Sequence, residues 1–335
     1  MSEYQYYEFQ AVERPLTPQE QNAVARLSSR VDPHPTQAVF VYNYSDFRGR
    51  PLDVLAKYYD ALFYIANWGS VQLAFRFPKG LIDVERIRPY CVDMYLSCDV
   101  VGEHVIINFE RHEEGGFDYW IEGEGTLAKL LPLREAILGQ DFRALYLAWL
   151  MASEDEYEVP EDTLEPPVPA GLGKLSTSLQ AFVNTFSVDD DLITAAAEAS
   201  QPLQQTALPD IQKAAAGLSA AEQQAWLLRL ANDEHRLGVK FQRFLREKLP
   251  TSLDTAASIP RIVYELRQMA SEAQRQKVAR QKAAAAAKRK RQMEALAPKA
   301  EETWTAVDQL IQEGQAKPYD KAVQLLTKLH DLAIY

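Results

Sequence analysis

The sequence predicts an α+β protein: an acidic N-terminal domain with a mixed, largely antiparallel sheet and helices, followed by an all-α region with a long basic helix and a C-terminal helix pair. Three observations predict it. Segments rich in Val and aromatic residues, several alternating apolar with polar, are confined to residues 1–121. Residues 153–171 are acidic and then proline-rich. Beyond them the apolar spacing is helical, and residues 260–297 carry no Gly and no Pro in their interior.

Tyr4, Tyr6, Tyr7, Phe9 and Ala11 read as a first strand over residues 4–12. Thr17-Pro18-Gln19-Glu20 is a helix start: Thr17 caps, Pro18 suits the first turn and Glu20 completes a capping box, with the helix running to about Ser29. Residues 38–44 are rich in Val and aromatics and predict a strand. Pro51 opens a second helix, in which Leu52, Leu55, Tyr58/Tyr59, Leu62 and Ile65/Ala66 recur at helical spacing through Asn67, with Gly69 as its end. Val71, Leu73, Phe75 and Phe77 alternate with Gln72, Ala74 and Arg76, the pattern of a half-buried strand. Residues 92–100 and 104–110 predict two strands joined by a turn at Gly102. Residues 117–121 suggest a further short strand. Residues 127–152 read as a long apolar helix, or two breaking near Gly139.

After Pro166-Pro167-Val168-Pro169, residues 173–253 alternate apolar helical runs with breaks at Pro202, Pro209 and Pro250. Asp189-Asp190-Asp191 ahead of Leu192 is most simply a helix start; the further ligands and turn glycine of a calcium loop are missing. In the helix predicted for residues 260–297, Ile262, Leu266 and Met269 form a core-facing stripe, and Val278 is the only large aliphatic between Ala270 and Met293. Trp304, Val307 and Leu310/Ile311, then Tyr319, Ala322/Val323, Leu326 and Leu329, mark a closing helix pair broken at Gly314. The expected organisation is therefore 1–152 (acidic α+β domain), 153–171 (linker), 172–258 (helical domain), 259–299 (long basic helix) and 300–335 (helical hairpin).

Composition is that of a globular chain, with 47% hydrophobic and 25% charged residues. The net charge of −11 hides an asymmetry: residues 1–165 hold 14 Lys and Arg against 28 Asp and Glu, and the rest 22 against 19. Such a division points to different partners for the two halves, and the acidic half repels nucleic acid and anionic membrane. No apolar run reaches the roughly 18 residues of a membrane span, and residues 1–6 lack a signal-peptide pattern, so a cytoplasmic protein is expected. Cys91 and Cys98 are seven apart, neither a redox pair nor a zinc pair, and read as free thiols.

Several blocks together carry a resemblance: Tyr6-Tyr7-Glu8-Phe9-Gln10-Ala11 with Arg14-Pro15-Leu16-Thr17, Ala66-Asn67-Trp68-Gly69, Leu130-Leu131-Pro132-Leu133-Arg134, Glu165-Pro166-Pro167-Val168-Pro169 and Asp191-Leu192-Ile193-Thr194. In this order, over most of residues 1–230, they resemble a family of uncharacterised bacterial proteins. The resemblance implies bacterial origin and a cytoplasmic location, and it carries over no activity and no catalytic residue. The closing Tyr319-Asp320-Lys321-Ala322-Val323 is also similar to the tail of some bacterial SWIM-type zinc-finger proteins, but this chain lacks the Cys and His ligands of such a finger.

His104, Glu110 and His112 share a strand face and could hold a metal; a hairpin edge equally suits solvated His and Glu, and no metal or cofactor is assigned. Nucleotide, hydrolase, zincin and kinase motifs are absent, so no catalytic residue is named. The five tryptophans, Trp68, Trp120, Trp149, Trp226 and Trp304, are scattered and read as core anchors. The sharpest local feature is basic. Residues 267–291 hold Arg267, Arg275, Lys277, Arg280, Lys282, Lys288, Arg289, Lys290 and Arg291 against Glu272 alone. Three readings stand side by side: a solvated or linking helix, intramolecular or subunit docking onto an acidic protein surface such as the acidic half, and nucleic-acid binding without sequence preference. The first expectation for the whole chain is a non-enzymatic scaffold or adaptor in a bacterial multi-protein system, with another protein as partner and no membrane. Nucleic-acid binding through residues 267–291 is the alternative, and an enzyme using carboxylates of the acidic domain comes third.

Overall fold

The central strands form where apolar and aromatic side chains are buried on both sides of the backbone. In the computed structural model the described residues are 4–28, 31, 33–112, 123–203, 208–234, 236–248 and 261–334. The first elements are β1 (Gln5–Gln10), α1 (Pro18–Ala25), β2 (Gln37–Tyr42), α2 (Pro51–Tyr58), β3 (Ala61–Ala66), β4 (Ser70–Pro78), α3 (Val84–Ile87), β5 (Leu96–Val101) and β6 (His104–His112). Helices follow: α4 (Thr126–Leu130), α5 (Pro132–Leu138), α6 (Arg143–Ala152), α7 (Thr177–Phe186), α8 (Asp190–Ala197), α9 (Leu208–Ala216), α10 (Ala220–Ala231), α11 (Leu237–Lys248), α12 (Val263–Leu296), α13 (Ala300–Gln312) and α14 (Ala316–Ile334). The chain is α+β, as its sequence predicts.

The six strands form one sheet in the order β2-β1-β3-β4-β6-β5, and every neighbouring pair is antiparallel. Its two faces carry separate cores. On one face Tyr6, Phe63, Ile65, Leu73, Phe75, Val105, Ile107 and Phe109 meet α4 to α8 and the first turns of α12. On the other, Tyr7, Phe9, Phe40, Leu62, Ala74 and Ile106 meet α1 and α2. Tyr7, Phe9, Phe40, Tyr42 and Tyr59 ring Phe47 or one another at centroid distances of 4.9–6.3 Å; such aromatic pairs contribute about 0.5–1.5 kcal/mol each beyond area burial.

The helix expected over residues 51–67 is half strand. α2 stops at Tyr58, Tyr59 is extended (φ −124°, ψ 170°), and Ala61–Ala66 becomes β3, paired with both β1 and β4. A central strand buried on both faces is a continuous apolar run without alternation, and at six residues its spacing coincides with a helical one. Asp60 fixes the switch: its carboxylate accepts from the Val12 and Glu13 amides at 2.7 and 2.9 Å and from Arg76 at 2.8 Å. Gly69 (φ 97°) therefore turns β3 into β4 and ends no helix. The strand expected over 92–100 begins only at Leu96, after a turn whose Val92 bridges to Leu96, and the first helix ends at Ala25, short of Ser29; other local signals hold. Thr17 and Glu20 form the capping box, Asp189 caps α8 by accepting from the Asp191 and Leu192 amides, and residues 127–152 break at Gly139, between α5 and α6, and also before Pro132, between α4 and α5, so that they form three helices and not one or two. The strand expected at 117–121 lies outside the described residues, as does Trp120. Trp149 is buried, whereas Trp68 and Trp304 are 41% and 51% exposed and anchor no core.

The chain divides into two compact units, Met1–Ala270 and Ser271–Tyr335. Residues 153–171 lie within the first. Val159 is buried there, and the Tyr90 hydroxyl donates to the Pro167 carbonyl at 2.8 Å. Helix α7 adds Phe182 and Phe186 to the same core as Phe109 of β6, with the Phe109 and Phe182 rings 5.3 Å apart. In the second unit Val307 of α13 packs with Ala322 and Leu329 of α14, and Leu310, Leu325 and Leu326 border them.

Candidate interaction site

Helix α12 has a root and a stem of opposite character. At the root, Val263 and Leu266 are fully buried and Ala270 nearly so. The acidic stretch before the prolines grips this end. The Leu164 and Ile262 backbones form a β-bridge, the Glu165 amide donates to the Arg261 carbonyl at 2.9 Å, and the Val263 amide to the Thr163 carbonyl at 3.0 Å. Glu165 is paired with Arg261 at 2.8 Å, with side-chain exposures of 4% and 14%, and also accepts from the Tyr146 hydroxyl. Arg261 donates further to the Ala195 carbonyl at 3.1 Å. Burial by itself pulls the Arg261 pKa down, and the hydrogen bonds and charge of Glu165 more than reverse it. Burial, and then the Glu165 charge, pushes the Tyr146 hydroxyl far above its ordinary value.

Arg267, counted in the sequence with the basic run, belongs to the root. It donates to the Ser153 carbonyl at 2.9 Å and pairs with Glu156 at 3.3 Å. The run 153–165 is thus a socket whose carboxylates and carbonyls meet Arg261 and Arg267.

The stem is different. Every residue from 274 to 292 is exposed. Within it stand Arg275, Lys277, Arg280, Lys282, Lys288, Arg289, Lys290 and Arg291, with no Asp or Glu. A helix without a buried face depends on its own propensity. Ala283 to Ala287 are the best helix formers, and Arg, Lys and Gln lose little rotamer freedom. Spacing limits the repulsion: none of the eight has another four residues on, and only Lys277/Arg280 and Lys288/Arg291 stand three apart. The cluster at 288–291 lies near the negative end of the helix dipole, which favours cations. Arg289 pairs with Asp331 of α14 at 3.4 Å and Lys290 with Glu294 at 3.9 Å. Arg275, Arg280, Lys282, Lys288 and Arg291 make no ion pair with any described residue.

The charges are not scattered evenly. At about 100° per residue, Arg275, Lys282, Arg289 and Lys290 fall within about 100° of arc, and Lys277, Arg280, Lys288 and Arg291 within about 80° centred on the opposite side. Between the two faces lie Gln274, Gln281, Ala285 and Gln292 on one edge, and Gln276, Ala283 and Ala287 on the other. Neither edge offers the apolar surface that lying in a membrane interface requires.

Other clusters resolve into structure. Arg134 is fully buried, held by Glu13 at 2.5 Å and by the Arg76 carbonyl at 3.0 Å, with its guanidinium 5.0 Å from the Phe77 ring centre. Arg236 completes the pairing of Glu13 at 2.8 Å. Burial pushes the Glu13 pKa up, and hydrogen bonds from Arg236 and then Arg134 bring it below its ordinary value. His104 and His112 stand at opposite ends of β6, about 27 Å apart at strand rise. His112 contacts Ser70 at 3.0 Å, while burial and the nearby Arg76 lower the His104 pKa. Among the described residues no group of three or more His, Cys, Asp and Glu is placed to hold a metal, and no helix is long and apolar enough to cross a membrane. Sequence reasoning reached part of the root, the apolar stripe through Leu266 and docking of the basic run onto the acidic half, which Arg267 makes with Ser153 and Glu156; it missed Arg261 and the particular partners, because these meet only when residues 153–165 fold back on the helix. No family model, curated protein or solved structure matches the chain.

Proposed function

We propose that the chain is a non-enzymatic interaction protein, an adaptor in a bacterial multi-protein system, whose docking element is the stem of α12. The observation that carries this reading is the exposure of residues 274–292 together with eight cations and no anion. Within the chain such a helix buries nothing to offset its ordering, so its composition makes sense as a surface for an anionic partner. Helix α10 supports a protein partner as well: Trp226 packs on Phe241 and Phe244 at 4.9 and 5.3 Å, while Leu227, Leu228 and Leu230 remain 64%, 57% and 63% exposed. The test is a tagged capture from a bacterial lysate, with and without nuclease, comparing the full chain with a variant carrying Gln at all eight basic positions. Partners retained by the natural chain and lost by the variant support the adaptor reading. Identical partner sets remove the stem from it. Nucleic-acid binding through the basic run 267–291, less Arg267, which the root engages, is the second reading, favoured by one observation, the placement of the eight remaining basic side chains on two opposite faces.

A further inference from the structure

We infer that the stem of α12 is built to lie in the major groove of a B-form DNA duplex, with its two basic faces on the two phosphate walls. The inference rests on the reading of the stem as an anion-docking element and names the anion. A helix resting on an acidic protein surface uses one face, and half of these eight charges would then point to solvent. A groove has two walls, one on each side of the inserted helix, and the stem carries four cations on each of two opposed sides: Arg275, Lys282, Arg289 and Lys290 for one strand, with Arg289 and Lys290 exchanging their exposed pairs with Asp331 and Glu294 for phosphate, and Lys277, Arg280, Lys288 and Arg291 for the other. The edges between them carry only Gln, Ala and Val side chains, so the side facing the groove floor holds no charge to desolvate. The alanine run keeps the helix slim. An α-helix with side chains is about 10–12 Å across, and the major groove is about 12 Å wide. Residues 274–292 span about 27 Å, long enough for a straight helix to lie in the groove over part of one turn, which repeats about every 34–36 Å along the axis. Paired RNA fits poorly, because its major groove is deep and narrow. Single strands are also disfavoured, since the stem has no aromatic side chain on which bases could stack. Lys and Arg contacts to phosphate carry little sequence information, so binding is expected across sequences.

The experiment measures fluorescence anisotropy of the full chain with a labelled 20-base-pair DNA duplex, the matching RNA duplex, the single DNA strand and poly-glutamate, over 50–200 mM salt. Two variants each neutralise one face: R275Q/K282Q/R289Q/K290Q and K277Q/R280Q/K288Q/R291Q. Gln nearly matches Lys and Arg in helix propensity, and circular dichroism checks that helicity is kept. If all eight cations reach phosphates, duplex affinity falls about 10⁴-fold over this fourfold salt range, and each face variant reduces that fall to about 10²-fold. DNA duplex preferred over the other three, with both variants equally impaired, is the expected result. Loss confined to one variant overturns two-wall seating. Binding of poly-glutamate without duplex overturns the DNA assignment and leaves the adaptor reading standing. Failure to bind any of the four anions overturns both.

Discussion

Replacing Glu165 with Gln probes the socket at the root of α12 with a nearly isosteric change. Glu165 is 4% exposed and its partner Arg261 14%, so E165Q leaves a guanidinium largely cut off from water without its counter-charge. Breaking a buried pair by removing one partner costs about 3–5 kcal/mol. The partial exposure of Arg261 and its retained bond to the Ala195 carbonyl place this case at the lower end, about 3 kcal/mol. Weakening of the Tyr146 hydroxyl bond is part of the same network and does not add independently. Urea unfolding at pH 7, followed by the emission of Trp149, whose ring centre lies 5.9 Å from that of Tyr146, reads the loss directly. With a slope of about 3 kcal/mol/M the midpoint drops by about 1 M. Native-state hydrogen exchange at Leu266 and Ala270 accelerates by about 10²-fold, the equivalent of about 3 kcal/mol, because the first turns of α12 lose their clamp. The paired variant E165L/R261M removes both charges and recovers most of the loss, since an apolar pair of similar volume avoids the desolvation of two ions. A cost below about 1 kcal/mol for E165Q, or a double variant weaker than the single, would refute the account of the root as a buried ionic clamp.

Three further outcomes follow from the geometry. Phe182→Ala, in α7, opens a cavity beneath Phe109 and Phe186; it lowers stability by about 3–5 kcal/mol and shifts the unfolding of sheet and α7 together, whereas two separate transitions in calorimetry would mean that they are independent domains. Glu20 is held at about 2 by its hydrogen bond from Arg14 and then the Thr17 amide. Its contribution is therefore present above its unfolded value near 4.5 and is lost as pH falls toward 2, so Glu20→Gln destabilises at pH 7 and is neutral at pH 2, as thermal melts at the two pH values will show. Burial raises the Cys91 thiol to about 11 and Cys98 to about 12, so both alkylate at pH 8 more than about tenfold slower than free cysteine until urea is added; labelling at the free rate in the folded protein contradicts that burial.

The sequence by itself determined the features that depend on neighbours along the chain. The Thr17–Glu20 box, the Asp189 cap and the break at Gly139 are satisfied within a few residues, and each stands where its pattern places it. The alternation in β4 was legible because one face meets aliphatic side chains and the other holds Gln72 and Arg76. The charge of the stem and its lack of a core-facing stripe were legible too, since an exposed helix is governed by composition. Tertiary structure alone decided whatever depends on what covers a segment. Strand β3 is a strand because β1 and β4 flank it and both its faces are buried, a condition that erases the alternation that would announce it. The stretch 153–165 carries the composition of a linker, yet it is a socket, because Arg261 and Arg267, about a hundred residues on, supply the charges its carboxylates meet. Arg267 and Arg275 are both arginines of one helix; burial against Ser153 and Val159 on one side of the unit boundary, and full exposure on the other, give them different roles. A charge is readable from sequence, but its partner is a matter of distance in space.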